Sequence, residues 1–76
     1  MTQLAILDHE YVAAQVRAEL DSQGLSQRDL ARELDVTDNF VSRRLRGEVE
    51  FSVIELATVA VVLGVPVEQF LGGQDR

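Results

Sequence analysis

The stretch GLSQRDLARELDVTDNFVSRRLRG, residues 24–47, decides the reading of this chain. Ser26-Gln27-Arg28-Asp29 has the form of a capping box, with Asp where Glu is more usual, so a helix is expected to open there. Leu30, Ala31 and Leu34 give that helix an apolar stripe about two turns long. Thr37 is a good N-cap for a following helix that runs to Arg46, with Val41 and Leu45 facing inward and Gly47 as its stop. Leu34-Asp35-Val36-Thr37 remains as a tight connection between the two.

Outward from this pair the same signals recur. Asp8 can cap a first helix in which Val12, Val16 and Leu20 recur at i, i+4 and i+8, and Gly24 ends it. Ser52-Val53-Ile54-Glu55 is a full capping box opening a fourth helix that stops at Gly64, and Pro66 suits the first turn of a last short helix over residues 67–71. No strand signal appears, so the expected fold class is all-α, a five-helix domain. An arm over residues 1–7, one domain over 8–71 and a tail over 72–76 complete the organisation. From Val53 to Leu63 nine of eleven residues are apolar, more than a one-sided stripe needs. Val59, Val62, Phe70 and Leu71 read either as core or as part of a dimer interface, and a partner subunit is expected to meet the surplus face of the fourth and fifth helices.

Composition narrows the function. Seventy-six residues make one domain, which buries roughly 60% of the surface its unfolded chain exposes, and 46% hydrophobic residues with a single Pro argue against disorder. Without cysteine there is neither a disulfide nor a thiolate metal site, and the one histidine, His9, has no partners at ligand spacing. No histidine stands by a carboxylate pair and no Gly-rich phosphate loop is present, so neither an enzyme nor a cofactor is expected. Leu4-Ala5-Ile6-Leu7 is too short for a signal peptide and no apolar run is long enough to span a bilayer. A soluble cytoplasmic protein with no membrane partner is the expectation.

The net charge of −6 opposes attraction to nucleic acid, but its distribution does not. Residues 26–46 hold five of the seven arginines (Arg28, Arg32, Arg43, Arg44, Arg46) against four acids, a local balance of +1. The remainder carries two arginines and nine acids.

Two short helices joined by a turn of three or four residues, the second rich in polar side chains, form a unit that lays its second helix in the DNA major groove. Gly24, Leu25, Ser26, Gln27, Leu30, Ala31, Leu34, Val36, Thr37, Val41, Ser42 and Gly47, followed by Leu56, Ala57, Leu63-Gly64-Val65 and Glu68-Gln69-Phe70-Leu71, carry a specific likeness. Residues 24–71 resemble the phage repressor and Cro (Xre-like) type of helix-turn-helix domain. That resemblance implies a lambda-repressor-like fold and a sequence-specific, DNA-binding transcriptional regulator of repressor or Cro-like switch type, phage or bacterial. It would act as a homodimer on an inverted-repeat operator, with RNA polymerase or another regulator as a further partner.

The chain departs from the family pattern at three places. The turn position that is often Gly is Asp35, which tolerates a left-handed backbone better than most residues. An Arg late in the first helix and a Glu near the end of the third, often paired in the family, are Leu20 and Leu45 here. A whole ion pair exchanged for an apolar pair is often neutral or stabilising, so the two leucines are expected to touch. After the third helix, where the family is often basic, the chain reads Glu48-Val49-Glu50, a loop expected to avoid DNA.

On a helix starting after Thr37, positions 38, 39, 42, 43 and 46 share the face opposite Val41 and Leu45. The resemblance assigns base contacts to Asp38, Asn39, Ser42 and Arg43. Asn pairs with adenine, Arg with guanine and Asp with the cytosine amino group, a good bidentate pair giving about 1–3 kcal/mol of discrimination. Arg43 competes with a plainer role, a phosphate contact or a surface salt bridge to Asp38 or Asp35. Gln27 resembles the family residue that clamps a phosphate at a helix N-terminus. Arg46, Arg28 and Arg44 are the other phosphate candidates, Arg28, Arg32 and Arg44 also being able to pair with Asp29 or Glu33. Phe40 is expected to pack rather than touch a thymine methyl, and His9 and Tyr11 to lie at the surface or edge of the first helix. The rival reading is an interaction module of the same fold, antirepressor-like or antitoxin-like, using the acidic surface.

Overall fold

A computed structural model describes residues 9–71. The expected Asp8 cap, the arm over 1–7 and the tail over 72–76 lie outside the described residues. Four α-helices follow one another: α1 (His9–Gln23), α2 (Gln27–Leu34), α3 (Asp38–Leu45) and α4 (Val53–Leu63). Among the described residues there is no strand, and no helix is long and apolar enough to cross a membrane.

The anticipated fifth α-helix is instead a 3₁₀ turn over Val67–Phe70. Its bonds run from Gln69 N–H to the Pro66 carbonyl (3.0 Å) and from Leu71 N–H to the Glu68 carbonyl (3.1 Å). Four residues after a proline can close such i→i+3 rings, the tighter geometry favoured by short pieces.

Local chemistry sets the helix starts. Ser26 Oγ accepts from the Asp29 N–H at 3.0 Å while the Asp29 carboxylate accepts from the Ser26 N–H at 2.9 Å, so Asp completes the capping box. Ser52 and Glu55 repeat the arrangement at α4, and Thr37 Oγ1 caps α3 by accepting from Phe40 N–H at 3.0 Å.

All four helices close by one motif, in which one residue turns left-handed and its own N–H and that of the next residue reach back to the last turn. Asp35 does this with φ +60° and ψ +47°, the αL conformation expected of the turn. The second residue of the motif usually packs on the helix it closes. Leu25, Val36 and Val65 fill that place after α1, α2 and α4, and each packs against the core. After α3 the same place is held by Glu48, whose N–H donates to the Arg43 carbonyl at 2.9 Å.

The apolar stripes meet in one core. Val16, Val41, Val59 and Phe70 are wholly buried, joined by Leu20, Leu30, Leu45, Leu56 and Leu63, and no polar or charged described residue is buried with them. α1 packs on α3 and on the 3₁₀ turn, α2 on α3 and α4, and α4 on the 3₁₀ turn. Leu20 and Leu45, the two leucines expected to touch, are both buried in this cluster and line one pocket. Gln23 Nε2 donates to the Leu63 carbonyl (2.7 Å) and Gln69 Nε2 to Glu19 (2.6 Å), tying the end of α1 to α4 and to the 3₁₀ turn.

Candidate nucleic-acid interface

Burying Val41 and Leu45 fixes which way α3 faces. Asp38, Asn39, Arg43 and Arg46 are then exposed, and Ser42 is half-buried among them. The Ser26 capping box holds Gln27 and Arg28 exposed in the first turn of α2, where helix N–H groups have no intrahelical acceptor. Arg28 Nε lies 3.2 Å from the Asp38 carboxylate, linking the beginning of α2 to the beginning of α3. Gln27 also borders the cavity of about 240 Å³ that Arg17, Leu20, Leu25 and Leu45 line. Six of the eight residues singled out from sequence, Gln27, Arg28, Asp38, Asn39, Arg43 and Arg46, are therefore exposed on α2, α3 and the close of α3, and Ser42 and Arg44 are half-buried.

The arginines are not free. Arg28 pairs with Asp38 (3.2 Å), Arg32 with Asp29 (3.3 Å), Arg46 with Glu48 (2.8 Å) and Arg43, more loosely, with Glu48 (3.8 Å). The surface salt bridge weighed as Arg43's plainer role forms with Glu48, not with Asp38 or Asp35. Arg46 also donates to Ser42 Oγ. The Arg46 hydrogen bond holds the Glu48 carboxyl below its usual range, and Glu48 raises Arg46 in return. Exposed pairs of this kind contribute little to stability and exchange readily for another anion.

Arg44 is placed otherwise than the sequence reading expects. Its side chain is only 15% exposed; Nε and Nη2 donate to the two Glu55 oxygens at 3.0 and 3.5 Å, Nη1 donates to the Phe40 carbonyl at 3.2 Å, and the guanidinium lies 3.6 Å from the Phe40 ring centre. A guanidinium so committed joins α3 to α4 and has little left to offer a phosphate. Burial pushes the Glu55 carboxyl up, but the Ser52 N–H and Arg44 outweigh it, and the net direction is down. Phe40 is half-buried against the core beneath Arg44, which is the packing role expected of it.

Two further side chains hold the far end of α3. His9 Nε2 lies 2.9 Å from the Gly47 carbonyl, its Nδ1 3.4 Å from the Glu50 carboxylate, and Arg17 donates to the Leu45 carbonyl. Donors suit a helix C-terminus, whose last carbonyls lack intrahelical partners and carry the negative end of the dipole. Gly47 has φ +80°, and a Cβ there would meet Glu10 Cγ at 3.2 Å, so the close approach of α1 and the left-handed turn both call for glycine. Sequence reading gave His9 no such task; thirty-eight residues separate it from Gly47, and no local pattern signals the contact.

This geometry agrees with a comparison against protein families. Residues 16–70, the greater part of the chain, match the model of the family described as Helix-turn-helix. No curated protein and no solved structure gives a significant match. The family is one of DNA-binding regulatory domains, generally without catalytic activity. The chain belongs to the helix-turn-helix family of the phage repressor and Cro (Xre-like) type, whose members are DNA-binding transcription regulators.

Proposed function

We propose that this chain is a sequence-specific, double-stranded DNA-binding regulator of the repressor or Cro-like switch type, phage or bacterial, that acts as a homodimer on an inverted-repeat operator. The observation that carries the proposal is the outward face of α3, where Asp38, Asn39, Ser42 and Arg43 stand beside Arg46 while Val41 and Leu45 anchor the opposite side. Asn39 and Arg43 read base edges in the major groove; Asp38 and Ser42 complete the reading face. Gln27, Arg28 and Arg46 hold phosphates and set the register.

Dimerisation is supported by α4. Val53, Ile54 and Val61 are 85, 78 and 78% exposed, and Val53, Ala57 and Val61 recur at i, i+4 and i+8 along one unburied face. Beside Ile54 runs an apolar groove of about 160 Å³ lined by Leu34, Val36, Phe40 and Phe51. A second copy covering this face would place two α3 helices on half-sites about one DNA turn apart. Occupancy of the operator would then regulate by blocking RNA polymerase, within the cytoplasm and on the nucleoid.

Selection from a random duplex pool at near-physiological salt, with Arg43→Ala run alongside, tests the proposal. An enriched inverted repeat is expected, altered by the substitution at one symmetric position, where discrimination falls roughly 5- to 150-fold. Absence of any enrichment would reject sequence-specific DNA recognition. It would favour the second reading, an antirepressor-like or antitoxin-like module binding another regulator, which the paired arginines and the acidic remainder of the chain support.

A further inference from the structure

The close of α3 differs from that of the other three helices in one respect. Where Leu25, Val36 and Val65 turn an apolar side chain back toward the core, the equivalent place after α3 holds Glu48, opposite Arg43. The usual apolar contact across this motif is here a pair of charges. Gly47 N–H to the Arg44 carbonyl (3.1 Å) and Glu48 N–H to the Arg43 carbonyl (2.9 Å) fix the Glu48 backbone at the edge of the α3 polar face. Its two oxygens accept from Arg46 Nε at 2.8 Å and Nη2 at 3.3 Å, a fork-to-fork arrangement, and one of them stands 3.8 Å from Arg43 Nε. That planar, two-oxygen anion presents to both arginines what a phosphate or a guanine edge would present.

We infer that Glu48 is an internal competitor for DNA, its carboxylate occupying the donors of Arg43 and Arg46 in the free protein and having to be displaced when a duplex binds. The inference rests on the DNA-binding reading of α3. Because the backbone bonds keep Glu48 in place, the carboxylate acts as a tethered anion at high local concentration, and it opposes every duplex alike. An arginine that leaves Glu48 for a phosphate exposes a carboxylate that takes up a cation. Part of the counterion release that drives binding is thereby cancelled. Glu48 thus lowers affinity for random sequence, and the operator's base contacts must supply the difference. The loop expected to avoid DNA is, on this inference, what limits access to it.

Binding of a random-sequence duplex and of a selected duplex by the full chain, across a salt series, provides the test. Glu48→Gln keeps the backbone bonds and removes the charge; Glu68→Gln makes an identical charge change on the 3₁₀ turn. Glu48→Gln is expected to tighten binding on the order of three- to tenfold and to steepen the salt dependence by about one unit of slope, with Glu68→Gln changing affinity less than twofold. In an Arg46→Ala background the gain from Glu48→Gln should shrink to about twofold or less, since the closer of the two competed donors is gone and only the looser Arg43 contact remains. If the unsubstituted chain binds duplex but Glu48→Gln and Glu68→Gln behave alike, the inference fails and the DNA reading stands. An equal gain with and without Arg46 would reduce Glu48 to plain repulsion of phosphate and also overturn it. If neither the unsubstituted chain nor Glu48→Gln binds any duplex, both fall together.

Discussion

Replacing Arg44 by Met tests whether that residue holds α3 to α4 or serves, like its neighbours on the proposed reading, as a DNA contact. The substitution removes the paired bonds to Glu55 and the bond to the Phe40 carbonyl, while a straight apolar chain still covers the ring. With the two side chains 15 and 30% exposed, the ion pair lies between an exposed one, worth up to about 1 kcal/mol, and shielded charged hydrogen bonds, worth about 1.5–3 kcal/mol. The loss of stacking on Phe40 adds about 0.5–1 kcal/mol. Arg44→Met is therefore expected to cost about 1.5–3 kcal/mol, a fall in Tm of about 6–24 °C for a domain of this size. Glu55→Gln can keep the acceptor that caps Ser52 while removing the charge. Urea unfolding of the two single variants and the double variant should show a coupling of about 1–2 kcal/mol. Coupling below about 0.3 kcal/mol, together with a loss of DNA affinity as large as that of Arg46→Ala, would show that Arg44 serves phosphate contact and that its pairing with Glu55 is incidental.

Val61→Glu, on the exposed face of α4, should leave the Tm of the monomer within a few degrees yet abolish dimerisation in sedimentation at micromolar concentration; an unchanged dimer would place the interface elsewhere. Asp35→Gly relieves a left-handed backbone that an L side chain adopts at a cost, and should stabilise the chain by about 0.5–1 kcal/mol, read as a Tm higher by about 2–8 °C; a lower Tm would mean that the Asp35 side chain itself holds the turn. Asp29, Glu48 and Glu55 all have carboxyls held down in the folded state, Asp29 chiefly by the Ser26 N–H, Glu48 by Arg46, and Glu55 by Ser52 and Arg44 against the upward push of burial. Groups depressed in this way stabilise the fold above their ordinary values, and that contribution is lost as pH falls through the lowered ones. Thermal melts should hold nearly level from pH 7 to the upper edge of the carboxylate range and decline below it, less steeply for Glu55→Gln; a level curve down to pH 3 would contradict the assigned pairings.

Helix positions were legible in the sequence because the signals that set them are local. Ser26 with Asp29, Thr37, Ser52 with Glu55, and the glycines at 24, 47 and 64 each act within four or five residues, and each does in the fold what its spacing implies. The last element departed from expectation because residues 67–71 are too few for apolar spacing to distinguish an α turn from a 3₁₀ turn. The polar face of α3 was legible for the same reason as the helix, since Val41 and Leu45 commit the opposite side. The partners of the arginines were not, because which acid reaches which arginine depends on how the helices cross. Arg44 finds Glu55 eleven residues on, and Arg28 finds Asp38 across the turn. Glu48 is the exception: once Gly47 closes α3, the geometry of that close brings residue 48 back over residue 43, so this pairing was within reach of sequence reasoning.

The pairing of every arginine in residues 26–46 alters how the chain's charge bears on its function. Unpaired arginines on α3 would bind any polyanion, and the acidic remainder could reduce that only over a distance of about a Debye length, roughly 8–10 Å at physiological salt. Acids placed in contact act differently. On the proposed DNA-binding reading, each would have to be exchanged for a DNA oxygen, a penalty common to all duplexes that only a site with matching base contacts offsets. Arg44 lies outside this exchange because its acid belongs to the capping box of α4, and losing the pair would loosen α3 itself. The arginines that can be released and the one that cannot are thus separated by burial: Arg28, Arg43 and Arg46 pair in solvent, where an ion pair is weak enough to yield, and Arg44 pairs where it is not.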